Sequence, residues 1–270
     1  MTYTLEQLHG IYCQLLMEFD VFCRTNGISY MLDGGTLLGA VRDGQFIPWD
    51  DDVDIAMPRP DYDRFIKIWK GNMVLKCHEL DASFFFPYAK LLCAKTPIIS
   101  LLDKENNTVG DVFVQFDIYP IDGAGNDEKG LPLLAKRIKR LKQLLYYSTT
   151  KIETNRWYKK AVYQAIKLFG PSFYYYLLQK EMRYYDYSNS QYVTRWRMPD
   201  LVKTVYPKNQ IVPFVNISFC GLSLLAPQNA DLYLMQCYGD YKTPRRENEG
   251  LRHEISNSEI TEQLAKRINR

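Results

Sequence analysis

Asp50-Asp51-Asp52-Val53-Asp54-Ile55-Ala56-Met57-Pro58 begins acidic, turns apolar and stops at proline. Side chains alternate faces along a strand, so Asp52 and Asp54 share one face and Val53 and Ile55 the other. The apolar pair demands a core on its side and so fixes the register. Neighbouring carboxylates repel unless a cation lies between them. Mg²⁺ or Mn²⁺ suits such a site, because hard cations take a few carboxylates together with waters and substrate phosphates. An acidic loop would account for Asp50 and Asp51 alone. Acids within an otherwise apolar strand point to a cation.

Spacing excludes two common motifs. In an EF-hand loop starting at Asp50, Ile55 would stand where glycine must turn the chain, and Pro58 and Pro60 would fall inside the loop. Gly34 and Gly39 have the glycine spacing of a P-loop, but Ala40-Val41 replaces its Lys-Ser/Thr. Upstream of the acids, Ile28 to Leu32 is expected to be a strand, Asp33-Gly34-Gly35-Thr36 a sharp turn, and Leu37 to Arg42 a short helix. Backbone N–H groups at Gly34, Gly35 and Thr36 would approach a phosphate closely, aided by the helix N-terminus. A glycine turn followed by paired acids, with a third acid on a later strand, is the arrangement of the nucleotidyltransferase fold. Asp117, flanked by Phe116 and Ile118 in an expected strand from Val112 to Ile118, supplies the third acid.

Around this centre, apolar residues at helical spacing predict a first helix from Leu5 to Thr25, ended by Asn26-Gly27. A helix from Asp61 to Lys70 and strands at Met73–Glu79 and Tyr88–Ala94 follow. Helices dominate 130–190, with breaks near Thr149-Thr150 and Gly170-Pro171. A β-like stretch, Val212 to Leu225, precedes a helix from Asn229 to Tyr238. The expected fold is α/β (α+β): a nucleotidyltransferase-like mixed sheet flanked by helices, with a helical lobe. The core would be 1–125 plus about 206–245, the lobe 126–205, and 246–270 a polar tail.

Composition fits a soluble globular protein, with 46% hydrophobic and 24% charged residues. No basic leader precedes an apolar run, and no uninterrupted apolar stretch is long enough to span a bilayer. The expected location is therefore cytoplasmic. Six cysteines lie far apart without a C-x-x-C pair, which suggests free thiols rather than zinc or a disulfide framework. Net charge is only +3. Nucleic-acid binding is not expected, since no recognisable module accompanies the basic stretch 131–160. That stretch reads as a solvated helix face, or as a surface for an anionic membrane or a phosphorylated acceptor.

Tyr30-Met31-Leu32-Asp33-Gly34-Gly35-Thr36-Leu37-Leu38-Gly39-Ala40-Val41-Arg42, followed by Phe46-Ile47-Pro48-Trp49-Asp50-Asp51-Asp52-Val53-Asp54-Ile55, closely resembles the LicD family motif. Phe116-Asp117-Ile118-Tyr119-Pro120-Ile121-Asp122-Gly123 looks like that family's second acidic motif. Tyr238-Gly239-Asp240-Tyr241 with Pro244 looks like its C-terminal one. Asp43-Gly44-Gln45 departs from the His-Lys-Gly often found there. The resemblance implies transfer of a phospho-alcohol such as phosphocholine from a CDP-activated donor, CDP-choline for example, to a glycan hydroxyl. A lipid-linked glycan would bring the protein to the inner face of the membrane. In this reading Asp52, Asp54 and Asp117 hold the metal and carry catalysis. Gly34, Gly35 and Thr36 cradle the donor diphosphate, Arg42 neutralises the leaving nucleotide, and Lys90 and Lys95 are further phosphate candidates. The rival readings are a nucleotidyltransferase that attaches the nucleoside monophosphate itself, and a non-catalytic glycan- or nucleotide-binding relative.

Overall fold

The computed structural model describes residues 5–97, 99–100, 113–127, 130–150, 154–196, 204–243 and 253–254. Pro244, the tail 246–270 beyond that two-residue strand, and the side chain of Lys95 lie outside the described residues.

Helix α1 (Leu5–Thr25) buries Leu8, Tyr12, Leu16, Phe19 and Cys23, the stripe that its three- and four-residue spacing predicts. It packs over a mixed sheet in the order β1-β2-β6-β4-β3, made of β1 (Met31–Leu32), β2 (Val53–Pro58), β3 (Val74–Lys76), β4 (Ala89–Pro97) and β6 (Phe113–Gly123). Strands β2 and β6 run parallel, with Asp54 opposite Asp117 and Ile55 opposite Ile118. Strand β4 runs antiparallel to β6 and sets Lys90 opposite Asp117. Two-residue β5 (Ile99–Ser100) pairs with the tail strand His253–Glu254.

The glycines expected to form a turn instead open helix α2 (Gly34–Arg42), with Asp33 as its N-cap residue. Every residue of β2 is buried, so this strand has no solvent face; its acidic side is covered by the start of α2. Helix α3 (Arg59–Ile68) begins with Pro60 in its first turn, where proline's missing N–H costs nothing.

Helices α4 (Leu131–Thr149), α5 (Trp157–Leu168) and α6 (Pro171–Met182) stop at the two breaks read in the sequence. Leu134, Ile138, Tyr174, Leu178 and Trp196 build a second hydrophobic core there, separate from that of the sheet. Not all of 126–205 is helical. Strand β7 (Tyr192–Thr194) pairs with β6 at Asp122 and Gly123, and with β8 (Val205–Pro207), extending the sheet. Helix α7 (Lys208–Ile211), the hairpin of β9 (Val215–Phe219) and β10 (Leu222–Ala226), and helix α8 (Ala230–Tyr238) complete the described fold. Asn229 caps α8 by accepting from Leu232 N. All six cysteines are free thiols; Cys23 and Cys77 are buried. Among the described residues no helix is long and apolar enough to cross a membrane.

Candidate active site

The backbone around the acids is held from three sides. Asp33 N donates to Asp54 O at 3.0 Å, and Asp54 N donates to Thr36 Oγ1 at 3.0 Å. From α1, Tyr12 donates its hydroxyl to Asp51 O at 2.9 Å, and His9 Nε2 sits 2.7 Å from Asp50 O. His9 and Tyr12 are three residues apart and so share one helix face. Burial, with Asp52 nearby, pushes the Tyr12 hydroxyl well above its ordinary pKa, so it remains a donor.

The glycines bring backbone against carboxylates. A Cβ added at Gly34 would lie 2.0 Å from Asp54 Oδ2, and one at Gly35 would lie 2.3 Å from Asp50 Oδ2. Gly34 also has φ +54°, a conformation that side chains with a Cβ rarely adopt. Both carboxylates thus sit at the first turn of α2, where unpaired N–H groups and the helix dipole favour negative charge.

In-register pairing across parallel strands puts the Asp54 and Asp117 side chains on one face, their Cα atoms about 4.8 Å apart. Asp52 lies just before β2, two residues ahead of Asp54. Tyr119 donates to Asp117 Oδ2 at 3.0 Å. Lys90, 4% exposed, lies 3.3 Å from Asp117 Oδ1 and donates to Gln115 Oε1 at 3.1 Å. Its ammonium also sits 5.2 Å from the Phe86 ring centroid. Asp117 Oδ1 is buried and accepts no hydrogen bond, so Lys90 faces it as a charge rather than as an aligned donor.

That buried acceptor oxygen, opposite a second carboxylate, suits a hard cation in donor chemistry. Among the described residues no three His, Cys, Asp or Glu side chains converge into a cation cage, and Asp117 is turned toward Lys90 and Tyr119. Mg²⁺ fits such an open arrangement, since it is held by one or two protein carboxylates with waters and substrate phosphates filling the remainder.

Asp54, Asp117 and Lys90 are thus neighbours across β2, β6 and β4, with Gly34 and Thr36 against Asp54 and Gly35 against Asp50; Asp52 lies just before β2. Thr36 is buried, its hydroxyl engaged by Asp54 N. Arg42 does not join them. It ends α2, about 12 Å along the helix from Gly34 at 1.5 Å per residue, and clasps Asp43 through Nε at 3.0 Å and Nη2 at 2.7 Å.

Several supporting residues carry no local sequence signal. Asp33 is fully buried, paired with Arg195 Nη1 and accepting the Tyr233 hydroxyl at 2.6 Å. Arg195 also lies over the Tyr233 ring at 5.3 Å. Arg59 and Asp122 form a buried bidentate pair at 2.6 and 2.9 Å, tying the start of α3 to the end of β6. Gln115 and Tyr119 were discoverable, because each lies two residues from Asp117 on the same strand face.

Residues 27–98 match the family described as LicD/FKTN/FKRP, nucleotidyltransferase domain. The chain is 27% identical to the lipopolysaccharide cholinephosphotransferase LicD of Haemophilus influenzae, across 93% of this chain and 96% of that protein. It is 33% identical to the uncharacterized protein RP689 of Rickettsia prowazekii over 35% of this chain and 34% of the other. A 31-residue stretch is 58% identical to the human ribitol 5-phosphate transferase FKRP, covering 12% of this chain and 6% of that one.

Proposed function

We propose that the chain, which matches the LicD/FKTN/FKRP family over residues 27–98 and the LicD cholinephosphotransferase at 27% identity along nearly its whole length, transfers a phospho-alcohol from a CDP-activated donor to a glycan hydroxyl, with Asp54 and Asp117 at the centre of the chemistry. The coarser statement, a transferase of phosphate-containing groups that acts on glycans, rests on the relatives. The finer one rests chiefly on a single observation: Asp54 and Asp117 stand opposite each other in register, with the Gly34 backbone pressed against Asp54.

In the reaction the acceptor oxygen attacks the phosphorus that bears the alcohol. The bond from that phosphorus to the bridging oxygen breaks, CMP leaves, and the hydroxyl proton is taken up by a base. We assign that role to Asp117, a reading supported by its hydrogen bond from Tyr119 and its position facing Lys90. The first turn of α2 directs N–H groups toward the donor diphosphate, and the Asp33–Arg195 pair fixes where that turn begins. Lys90 offsets negative charge where the phosphates gather. Mg²⁺ or Mn²⁺, held by Asp54 and Asp117 with waters and donor phosphates as its other ligands, would neutralise the phosphate oxygens and orient donor and leaving group.

The test is isotopic. CDP-choline labelled on the phosphate distal to cytidine should pass its label to the glycan, with release of unlabelled CMP. Appearance of the cytidine-proximal phosphate on the acceptor would instead establish nucleotidyl transfer. CDP-glycerol and CDP-ribitol, run in parallel, identify the alcohol.

A further inference from the structure

Loop 83–88, strand β6 and helices α4 and α6 enclose a pocket of about 640 Å³. Six aromatic rings line it: Phe85, Phe86, Tyr88, Tyr119, Tyr146 and Trp196. Two cations, Lys142 and Arg195, also line it, and its described lining contains no Asp or Glu. Arg195 commits Nη1 to Asp33, yet its Nε is buried without a hydrogen-bond partner. Lys142 is capped on one side by the carbonyl of Trp196, a neutral acceptor. Tyr119 belongs both to the pocket wall and to the Asp117 hydrogen bond, so an occupant would sit beside the acid pair. Gly34 flanks the pair at Asp54, and the pocket flanks it at Asp117.

We propose that this pocket is the acceptor subsite and takes a sugar ring bearing a phosphate, the ring against the aromatic walls and the phosphate toward Lys142 and Arg195. Aromatic faces stack on the apolar face of a sugar, whereas a phosphate requires cations and unpaired donors. A quaternary ammonium group also favours aromatic walls, but here it would meet the Lys142 ammonium, and no Asp or Glu lines the pocket to receive it. The assignment as acceptor site rests on the transferase reading above; the binding itself does not.

The full-length protein, without added metal, is titrated calorimetrically with glucose 6-phosphate, galactose 6-phosphate, the two free sugars, choline and CMP. At least one sugar phosphate should bind ten times or more tighter than its free sugar. Lys142→Met and Tyr146→Ala should each weaken that binding at least tenfold, and Tyr146 is exposed enough to be replaced without unfolding. The titration needs neither donor nor turnover, which separates a failed pocket from a failed transferase. Binding of neither sugar phosphate, tighter binding of choline or CMP, or affinity unchanged by Lys142→Met would overturn the proposal.

A separate observation concerns helix α5, in which no residue is buried. Trp157 is 80% exposed, Leu168 86% and Phe169 64%; Tyr158 and Val162 are also exposed. At 100° per residue, Trp157, Leu168, Ala161, Ala165, Tyr158 and Val162 fall in one arc of about 140°. Lys160, Lys167 and Arg156 are exposed on one flank, about 60–100° beyond the edge of the arc, and residues 154–180 contain no Asp or Glu. An acid-free cationic helix with an outward apolar face and an end tryptophan matches an anionic phospholipid surface in charge and in chemistry. We infer that α5 docks there. In sedimentation with vesicles, the protein should bind phosphatidylglycerol–phosphatidylcholine mixtures, bind pure phosphatidylcholine far less, and be released by salt. Leu168→Ser with Phe169→Ser should reduce partitioning at least tenfold without changing the melting temperature. Equal binding by that variant, no binding by the wild type, or a dimer in solution that the double substitution dissolves would refute it.

Discussion

Replacing Gly34 with alanine separates backbone strain from displacement of an acid. The residue has φ +54°, and left-handed backbone costs an L-residue with a Cβ about 1–2 kcal/mol. The new Cβ would also lie 2.0 Å from Asp54 Oδ2, against an ordinary contact of 3.4 Å or more. The carboxylate must therefore retreat by about 1.4 Å, and a misplacement of about 1 Å at a reacting centre costs on the order of 100-fold in rate. Gly44 supplies the control: its φ is +68°, yet an added Cβ meets nothing within 4 Å. By calorimetry both variants should melt about 2–8 °C below the wild type, at roughly 2–4 °C per kcal/mol. In a CMP-release assay at saturating donor, Gly34→Ala should fall about 100-fold and Gly44→Ala should match the wild type. If Gly34→Ala turned over within threefold of Gly44→Ala, close approach of Gly34 to Asp54 would have no bearing on transfer.

Other consequences follow from the buried charges. Asp33→Asn leaves the Arg195 guanidinium buried without its carboxylate and should cost about 3–5 kcal/mol in urea unfolding. Asp122→Asn should cost a similar amount, whereas replacing both Arg59 and Asp122 with apolar residues should cost much less, because no lone charge is then buried. Burial lowers Lys142 from 10.5 to about 8, so between those values the unfolded chain holds a proton that the folded protein lacks. Stability should therefore rise with pH across that window, and Lys142→Met should be more stable than the wild type at pH 7, its advantage shrinking toward pH 10.5. Thermal melts from pH 7 to pH 10.5 measure both effects.

What the sequence made legible was local or periodic. The stripe Leu8, Tyr12, Leu16, Phe19 marked α1, and Gly170-Pro171 divided α5 from α6, because helical spacing and proline act over a few residues. The strand pair carrying Asp54 and Asp117 could be anticipated because each acid sits among apolar neighbours. Gly34-Gly35-Thr36 read as a turn because glycine disfavours helix in isolation; α2 begins there because the two glycines make room for the Asp50 and Asp54 carboxylates. The partners of Asp33 lie 162 and 200 positions away, so no window around it could have found them. Strand β7 is only three residues long, and pairing with β6 and β8 rather than its own composition places it in the sheet. Arg42 read as a phosphate contact from motif position alone, yet its neighbour Asp43 takes the guanidinium.

The central claim is that Asp54 and Asp117 act together on the transferred phosphate. Asp54→Asn and Asp117→Asn, each checked for unchanged melting in metal-free buffer, should be compared with the wild type for CMP release across a Mg²⁺ titration. Losses of about 10²–10⁴-fold in both variants, at every Mg²⁺ concentration, are expected. Wild-type turnover in either folded variant at saturating Mg²⁺ would contradict the account.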